Sequence, residues 1–236
     1  MKIFDIDSPL ITFLGKMADM MWLTILTMVC CIPVITVGPA LTALHYVALK
    51  MVRNEDGYIT RSYFKAFKEN FRQATIIWLI FLAIFVFLFV DYRIIVASET
   101  EINIVVQLLL FVVGVFAVFT FMYVWPVLAK FENTIKRTIL NAFAISAVQF
   151  FKSLLMLLVN LAPFLLWYFV QPSIPNIFPI LFVFWFSAPA YLSAKIYDKF
   201  FRTMEDKILE QQSNVQEGEE SAEEDDTERS DFGQND

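Results

Sequence analysis

A single histidine, His45, and two adjacent cysteines, Cys30 and Cys31, are all the imidazole and thiol chemistry that the 236 residues hold. One histidine excludes an HExxH zinc site. Neighbouring cysteines inside an apolar stretch have poor geometry for a bridge between elements and no metal-ligand spacing, so they read as buried small apolar residues. There is no P-loop, no nucleophile elbow and no pair of intramembrane aspartates, so the usual intramembrane hydrolase chemistries lack their residues. The expectation is a protein that is no enzyme and needs no cofactor or metal. A secretory signal is missing too: Met1 to Asp19 mixes Lys2 and Lys16 with Asp5, Asp7 and Asp19, and no small-residue cleavage site precedes the first apolar run.

Charge is scarce at 18%, and what replaces it is hydrocarbon: 58% of the residues are hydrophobic, with 26 Phe and a mean hydropathy of +0.61. An ordinary soluble domain holds roughly 45 to 50% apolar residues, so a soluble globule is excluded. The net charge of −6 hides an asymmetry, because residues 205 to 236 hold 13 acids against Lys207 and Arg229 while residues 1 to 204 hold 16 bases against 11 acids. The chain divides into a basic transmembrane helical domain over 1–204 and an acidic cytoplasmic tail over 205–236. The tail has almost no apolar side chains with which to offset its ordering entropy, which predicts disorder from about Gln211 onward.

The expected fold is all-α, a polytopic bundle of transmembrane helices, and the spans follow from the gaps between charges. A span needs about 20 residues. The 42 uncharged residues between Lys152 and Lys195 hold two, separated by the turn at Gln171 to Asn176. Residues 102 to 129 hold one more, and Ile76 to Val90 another. Met20 to Leu49 is 30 uncharged residues, long for one span and short for two. Ser8-Pro9 has the form of an N-cap followed by Pro at the first helical position, so a helix is expected from Pro9 to about Ile32. Pro33 would end it, and Thr36-Val37-Gly38-Pro39 would open a second helix reaching about Val52. Six spans follow, with five as the alternative.

Lysine and arginine set the orientation. Residues 50 to 72 hold Lys50, Arg53, Arg61, Lys65, Lys68 and Arg72, and residues 130 to 152 hold Lys130, Lys136, Arg137 and Lys152. Both segments are expected in the cytoplasm, as is the C-terminus after Lys195, Lys199 and Arg202. Six spans put the N-terminus there as well, in a multi-pass protein of the cell membrane.

Within 58–75, Phe64, Phe67, Phe71, Ala74 and Trp78 recur at 3,4 spacing, while Arg61, Lys65, Lys68 and Arg72 recur about 100° away round a helix. That pattern predicts a cytoplasmic interfacial amphipathic helix, introduced by the turn at Asn54-Glu55-Asp56-Gly57. Two uses stay open: a membrane-surface elbow whose cations hold an anionic leaflet, or a docking surface for a cytoplasmic partner such as an ATPase. Phenylalanine at core-facing spacing argues against a nucleic-acid surface. At an offset of 76 residues Ile59 pairs with Ile135, Arg61 with Arg137, Ala66 with Ala142, Phe67 with Phe143, Gln73 with Gln149, Leu79 with Leu155 and Leu82 with Leu158, which reads either as a parallel duplication or as coincidence in so biased a composition.

Polar residues inside spans are functional candidates because hydrocarbon penalises them. Thr36, Gly38, Pro39, Thr42, His45 and Tyr46 gather on the second helix, as close packing or as a substrate-lined path. Asp91 closes an apolar run and reads as an interfacial cap linked to Arg93; Lys152 is expected to snorkel. Asn160 with Pro163, and Pro126 and Pro189 elsewhere, are expected to mark kinks.

The order of elements in CCIPVITVGPALTALHYVALKMVRNEDGYITRSYFKAFKENFRQA, residues 30 to 74, resembles the YesL family of bacterial integral membrane proteins, a domain of unknown function. The likeness covers FDIDSPLITFLGKMAD at the start, Pro33 to Leu44 and Arg61 to Phe71, and continues more loosely to about Arg202; the acidic tail lies outside it. The resemblance implies a carbohydrate-linked role, since such proteins are commonly encoded beside carbohydrate uptake transporters and sensor kinases, and it brings no catalytic residues. The expected function is an accessory or permease-like component linked to carbohydrate uptake, in contact with the lipid bilayer and with carbohydrate ABC transporter subunits. The alternative is a membrane sensor or scaffold that signals substrate status to a kinase. A polar path through the bundle would favour the first, and an interior packed solid would favour the second.

Overall fold

Pro9 opens the first helix, as its fixed φ and missing N–H allow at a helix start. In the computed structural model, which describes residues 9–55, 57–97, 104–170 and 182–232, α1 runs Pro9–Cys31 and ends before Pro33. A 3-10 turn at Val34–Thr36 leads into α2, Val37–Arg53. The Thr36 hydroxyl lies 2.6 Å from the Cys30 carbonyl oxygen and 2.7 Å from that of Pro33, satisfying acceptors that the helix end leaves open. The ambiguous N-terminal stretch is therefore two helices. Asn54 caps α2 at φ 54°, a left-handed conformation that asparagine tolerates, and accepts a 2.7 Å hydrogen bond from Lys16 on α1.

The remaining helices are α3 Ile59–Ala97, α4 Ile104–Lys130, α5 Ile135–Val148, α6 Phe150–Val170 and α7 Ser187–Phe232. No strand occurs among the described residues. Five stretches are long and apolar enough to cross a membrane: Phe13–Cys31, Val34–Arg53, Ile59–Ile95, Ile104–Lys130 and Phe150–Phe169. This is an all-α membrane bundle. The start of the sixth expected span, at 177–181, lies outside the described residues, as does the turn at 171–176.

One expectation about the elements needs correcting. The amphipathic stretch is no separate interfacial helix: it forms the first turns of α3, which continues unbroken into the apolar half. Nothing between Arg72 and Ile76 breaks a helix, neither proline nor glycine, so the ladder of backbone bonds carries on. Pro126 and Pro163 lie inside α4 and α6, which are continuous through them, and Pro189 stands in the first turn of α7, where a missing N–H costs nothing.

Contacts tie α1 to α7 into the arrangement: Thr24 donates to the Ser187 hydroxyl at 2.8 Å, with both residues buried. The central post is α2, with 56% of its span residues buried against 22% or less in the other four. Its small residues explain this, since Gly38, Ala40 and Ala43 let neighbouring backbones approach. The 76-residue offset reappears in the helix starts, Ile59 for α3 and Ile135 for α5. The second copy breaks where the first does not: Gln149, the counterpart of Gln73, separates α5 from α6. There Ser153 donates to the carbonyl of Ser146 at 3.0 Å, a seven-residue reach that only a bent chain permits.

The chain forms two compact units, Met1–Ile196 and Tyr197–Asp236. The second consists of the later turns of α7, where Arg202 donates to Asp198 at 2.9 Å one turn back. Residues 211–232, which composition alone reads as lacking fixed structure, continue as helix, in keeping with the helix preference of Glu, Gln and Ala.

Candidate functional site

The first turns of α3 have two faces of different chemistry. Tyr63, Ala66, Ala74 and Ile77 are buried at 0–1% exposure, against a packing surface provided chiefly by α2. Arg61, Phe64, Lys65, Lys68, Phe71 and Arg72 are exposed on the other side, and Phe67 is half-buried between. The inward stripe is thus 63, 66, 70, 74, 77 and 81, not the phenylalanine stripe that periodicity singled out. Both registers run at helical spacing and share Ala74, so only the small side chain of Ala66 marks which one admits a close neighbour.

The exposed face is an aromatic ladder flanked by cations. The rings of Phe64 and Phe67 lie 6.5 Å apart and those of Phe67 and Phe71 5.6 Å apart, both edge-on. Lys65 and Glu69 stand 4.0 Å apart with both side chains mostly exposed, a pair too solvated to fix either. Between this face and α1 lies a groove of about 780 Å³, bordered by Asp19, Trp22, Tyr58, Arg61, Phe64 and Lys68 among others. The Trp22 indole donates to Thr60 at 2.8 Å and holds α1 against the start of α3.

The second group of candidates is dispersed. Gly38, Pro39, Thr42 and His45 are buried on α2, and Thr42 donates back to the Gly38 carbonyl at 3.0 Å. A Cβ on Gly38 would collide with the Ala74 carbonyl oxygen and stand 2.8 Å from the Trp78 Cβ, so this end of α2 is closed against α3. Tyr46 is half-buried, with the Lys50 ammonium 5.1 Å from its ring centre. Asn160 donates to the Met156 carbonyl at 2.8 Å and to the Ser193 hydroxyl at 3.2 Å, joining α6 to α7. Asp91 lies within α3, six residues before its end, and is no cap; Arg93, two positions on, points about 200° away and cannot face it. The described contacts join neither Asp91 nor Asn160 to the α2 group. Cys30 and Cys31 are free and half-exposed, less buried than expected, and Lys152 is exposed.

Sequence reasoning missed Tyr63, whose hydroxyl lies 3.4 Å from the Ala40 carbonyl, and the bond from Gln73 to the Asn133 carbonyl at 2.6 Å. It also missed the cluster of Trp78, Phe121 and Trp125, with ring centres 5.3–6.5 Å apart. The indole nitrogens of Trp78 and Trp125 are buried without a hydrogen bond. A tyrosine or tryptophan among so many apolar neighbours carries no spacing signal of its own.

Comparison with curated proteins and with solved structures finds no match. The family described as "Protein of unknown function, DUF624" matches residues 17–92, about a third of the chain and the stretch that holds most of α1, all of α2 and most of α3. The YesL family is a DUF624 family, so the match agrees with the likeness read from the sequence over residues 17–92, the helices that build the α3 face and its groove.

Proposed function

We propose that this multi-pass membrane protein is a non-catalytic accessory component linked to carbohydrate uptake, and that it works by docking a cytoplasmic partner on the exposed face of α3. The observation that carries the reading is the rigidity of that face. An elbow that merely rests on a leaflet needs a joint before the next span. Here Arg61, Phe64, Lys65, Lys68, Phe71 and Arg72 stand on a helix that is continuous with the span and clamped from behind through Tyr63, Ala66 and Ala74. Cations and rings carried on one rigid helix suit an acidic, aromatic-tolerant protein surface. Carbohydrate transporter subunits are the partners proposed, by likeness to the YesL family.

A second reading, a scaffold or sensor that passes substrate status to a kinase, is favoured over a permease-like conduit by the closed contact of Gly38 with Ala74 and Trp78. It uses the same face. The test exchanges like charges: Arg61→Lys, Lys65→Arg, Lys68→Arg and Arg72→Lys together, with membrane level and co-purifying proteins in mild detergent as readouts. Docking relies on guanidinium forks and ammonium points in fixed places, so the exchanged protein should insert at the wild-type level and lose its partner by about tenfold or more. An unchanged set of co-purifying proteins would reduce the stripe to generic charge for the leaflet.

A further inference from the structure

A second cavity, of about 820 Å³, opens on the other side of Lys65, between α2, α3 and the connection from α4 to α5. Its chemistry differs from that of the apolar clefts along α4, whose linings are almost wholly hydrocarbon. Cations reach it from three elements: Lys65 from α3, Lys130 from the end of α4 and Arg137 from the first turn of α5. Tyr46 lines the same space from α2. Asn70 and Gln73 add amides, and the 2.6 Å bond from Gln73 to the Asn133 carbonyl fixes one wall by joining α3 to the α4–α5 connection. Two carboxylates, Glu69 and Glu132, complete the lining.

Three cations against two carboxylates leave this lining one positive charge in excess, which favours an anion that also carries hydrogen-bonding groups. A planar guanidinium fork with two ammonium groups is the set that recognises phosphate oxygens. A bare phosphate would occupy a small part of 820 Å³ and would be repelled by Glu69 and Glu132. Those carboxylates, with the Asn70 amide and the Thr134 hydroxyl, are instead hydrogen-bond partners for hydroxyl groups carried by the same ligand. We propose that this cavity binds a phosphate ester of a polyol, with Lys65, Lys130 and Arg137 on the phosphate and Glu132, Asn70 and Thr134 on the hydroxyls. Basic pockets between helices at a membrane face take lipid headgroups of this chemistry, and a soluble polyol phosphate presents the same groups.

The test measures thermal stability of the full chain in maltoside detergent against increasing dioleoylphosphatidylglycerol, dioleoylphosphatidylcholine, glycerol 1-phosphate and inorganic phosphate. A ligand that binds the folded state raises the melting temperature saturably. Phosphatidylglycerol or glycerol 1-phosphate should do so, and whichever acts at the lower concentration identifies a membrane or a soluble source; phosphatidylcholine and inorganic phosphate should be weaker by about tenfold or more. Lys130→Gln and Arg137→Gln should each raise the half-saturating concentration about tenfold, while Lys136→Gln and Lys152→Gln, outside the lining, should not. Should Arg137→Gln fail to fold, Arg137→Lys keeps the charge, removes the fork and should weaken binding in the same direction. No saturable rise with either ester, or a rise equally lost in the Lys136 and Lys152 variants, would overturn the proposal. The decisive variants leave Arg61, Lys68 and Arg72 untouched, so failure here is separable from failure of the docking reading.

Discussion

Gly38 is the residue on which the packing of α2 against α3 turns. Alanine normally stabilises a helix interior by roughly 0.5–1 kcal/mol relative to glycine. At position 38 the added Cβ meets the Ala74 carbonyl and the Trp78 Cβ, both parts of a helix that cannot yield by rotating a side chain. Gly38→Ala should therefore destabilise by about 1–3 kcal/mol, as overpacking does. At Gly114 on α4 no neighbour lies within 4 Å of a new Cβ, so Gly114→Ala should be neutral or raise stability. Thermal unfolding of both variants in detergent checks the contrast, and equal effects would show that the α2–α3 contact is looser than its geometry.

At the scale of the elements, the sequence is legible where a chemical break coincides with a structural one. Pro9 and Pro33 bracket α1 and were sufficient to separate it from α2, because proline acts on the backbone directly. The break at Gln149 has no such mark: the backbone turns there to φ −104° and ψ 41° although glutamine is an ordinary helix former. The continuity of α3 was missed for the converse reason, since a change from amphipathic to wholly apolar composition looks like a boundary although the backbone has no cause to stop. The candidate site was legible as a set of exposed charges but not as a surface, because helical spacing alone could not decide whether Tyr63 or Phe64 faces α2. The same logic of composition applies to α7 beyond its first turns. Residues 217–231 carry acids and almost no apolar side chains, so nothing there can contribute burial. Truncation after Gln211 should leave membrane insertion and the melting temperature unchanged, and a lower melting temperature would show that the acidic turns stabilise the fold.

For the whole molecule, the length of α3 constrains how the chain meets a bilayer. Its 39 residues extend about 58 Å at 1.5 Å per residue, against a hydrocarbon core of about 30 Å. Only about half of the helix can lie in hydrocarbon, and the apolar turns after Ile76 fill that length. The turns with Arg61, Lys65, Lys68 and Arg72 then stand outside the core, and on the proposed reading they share the cytoplasmic side with Lys130, Lys136 and Arg137, as the positive-inside rule expects. Convergence of Lys65, Lys130 and Arg137 on one cavity supports a common side for these segments. Both the docking face and the phosphate-ester cavity depend on this arrangement. The most direct test places single cysteines at Lys68 and at Ser98, in the connection between α3 and α4, in a background with Cys30 and Cys31 replaced by alanine, and treats intact cells with a membrane-impermeant thiol reagent. The account predicts labelling at position 98 and protection at position 68 until the membrane is permeabilised. Labelling at position 68 in intact cells would place the basic face outside and contradict it.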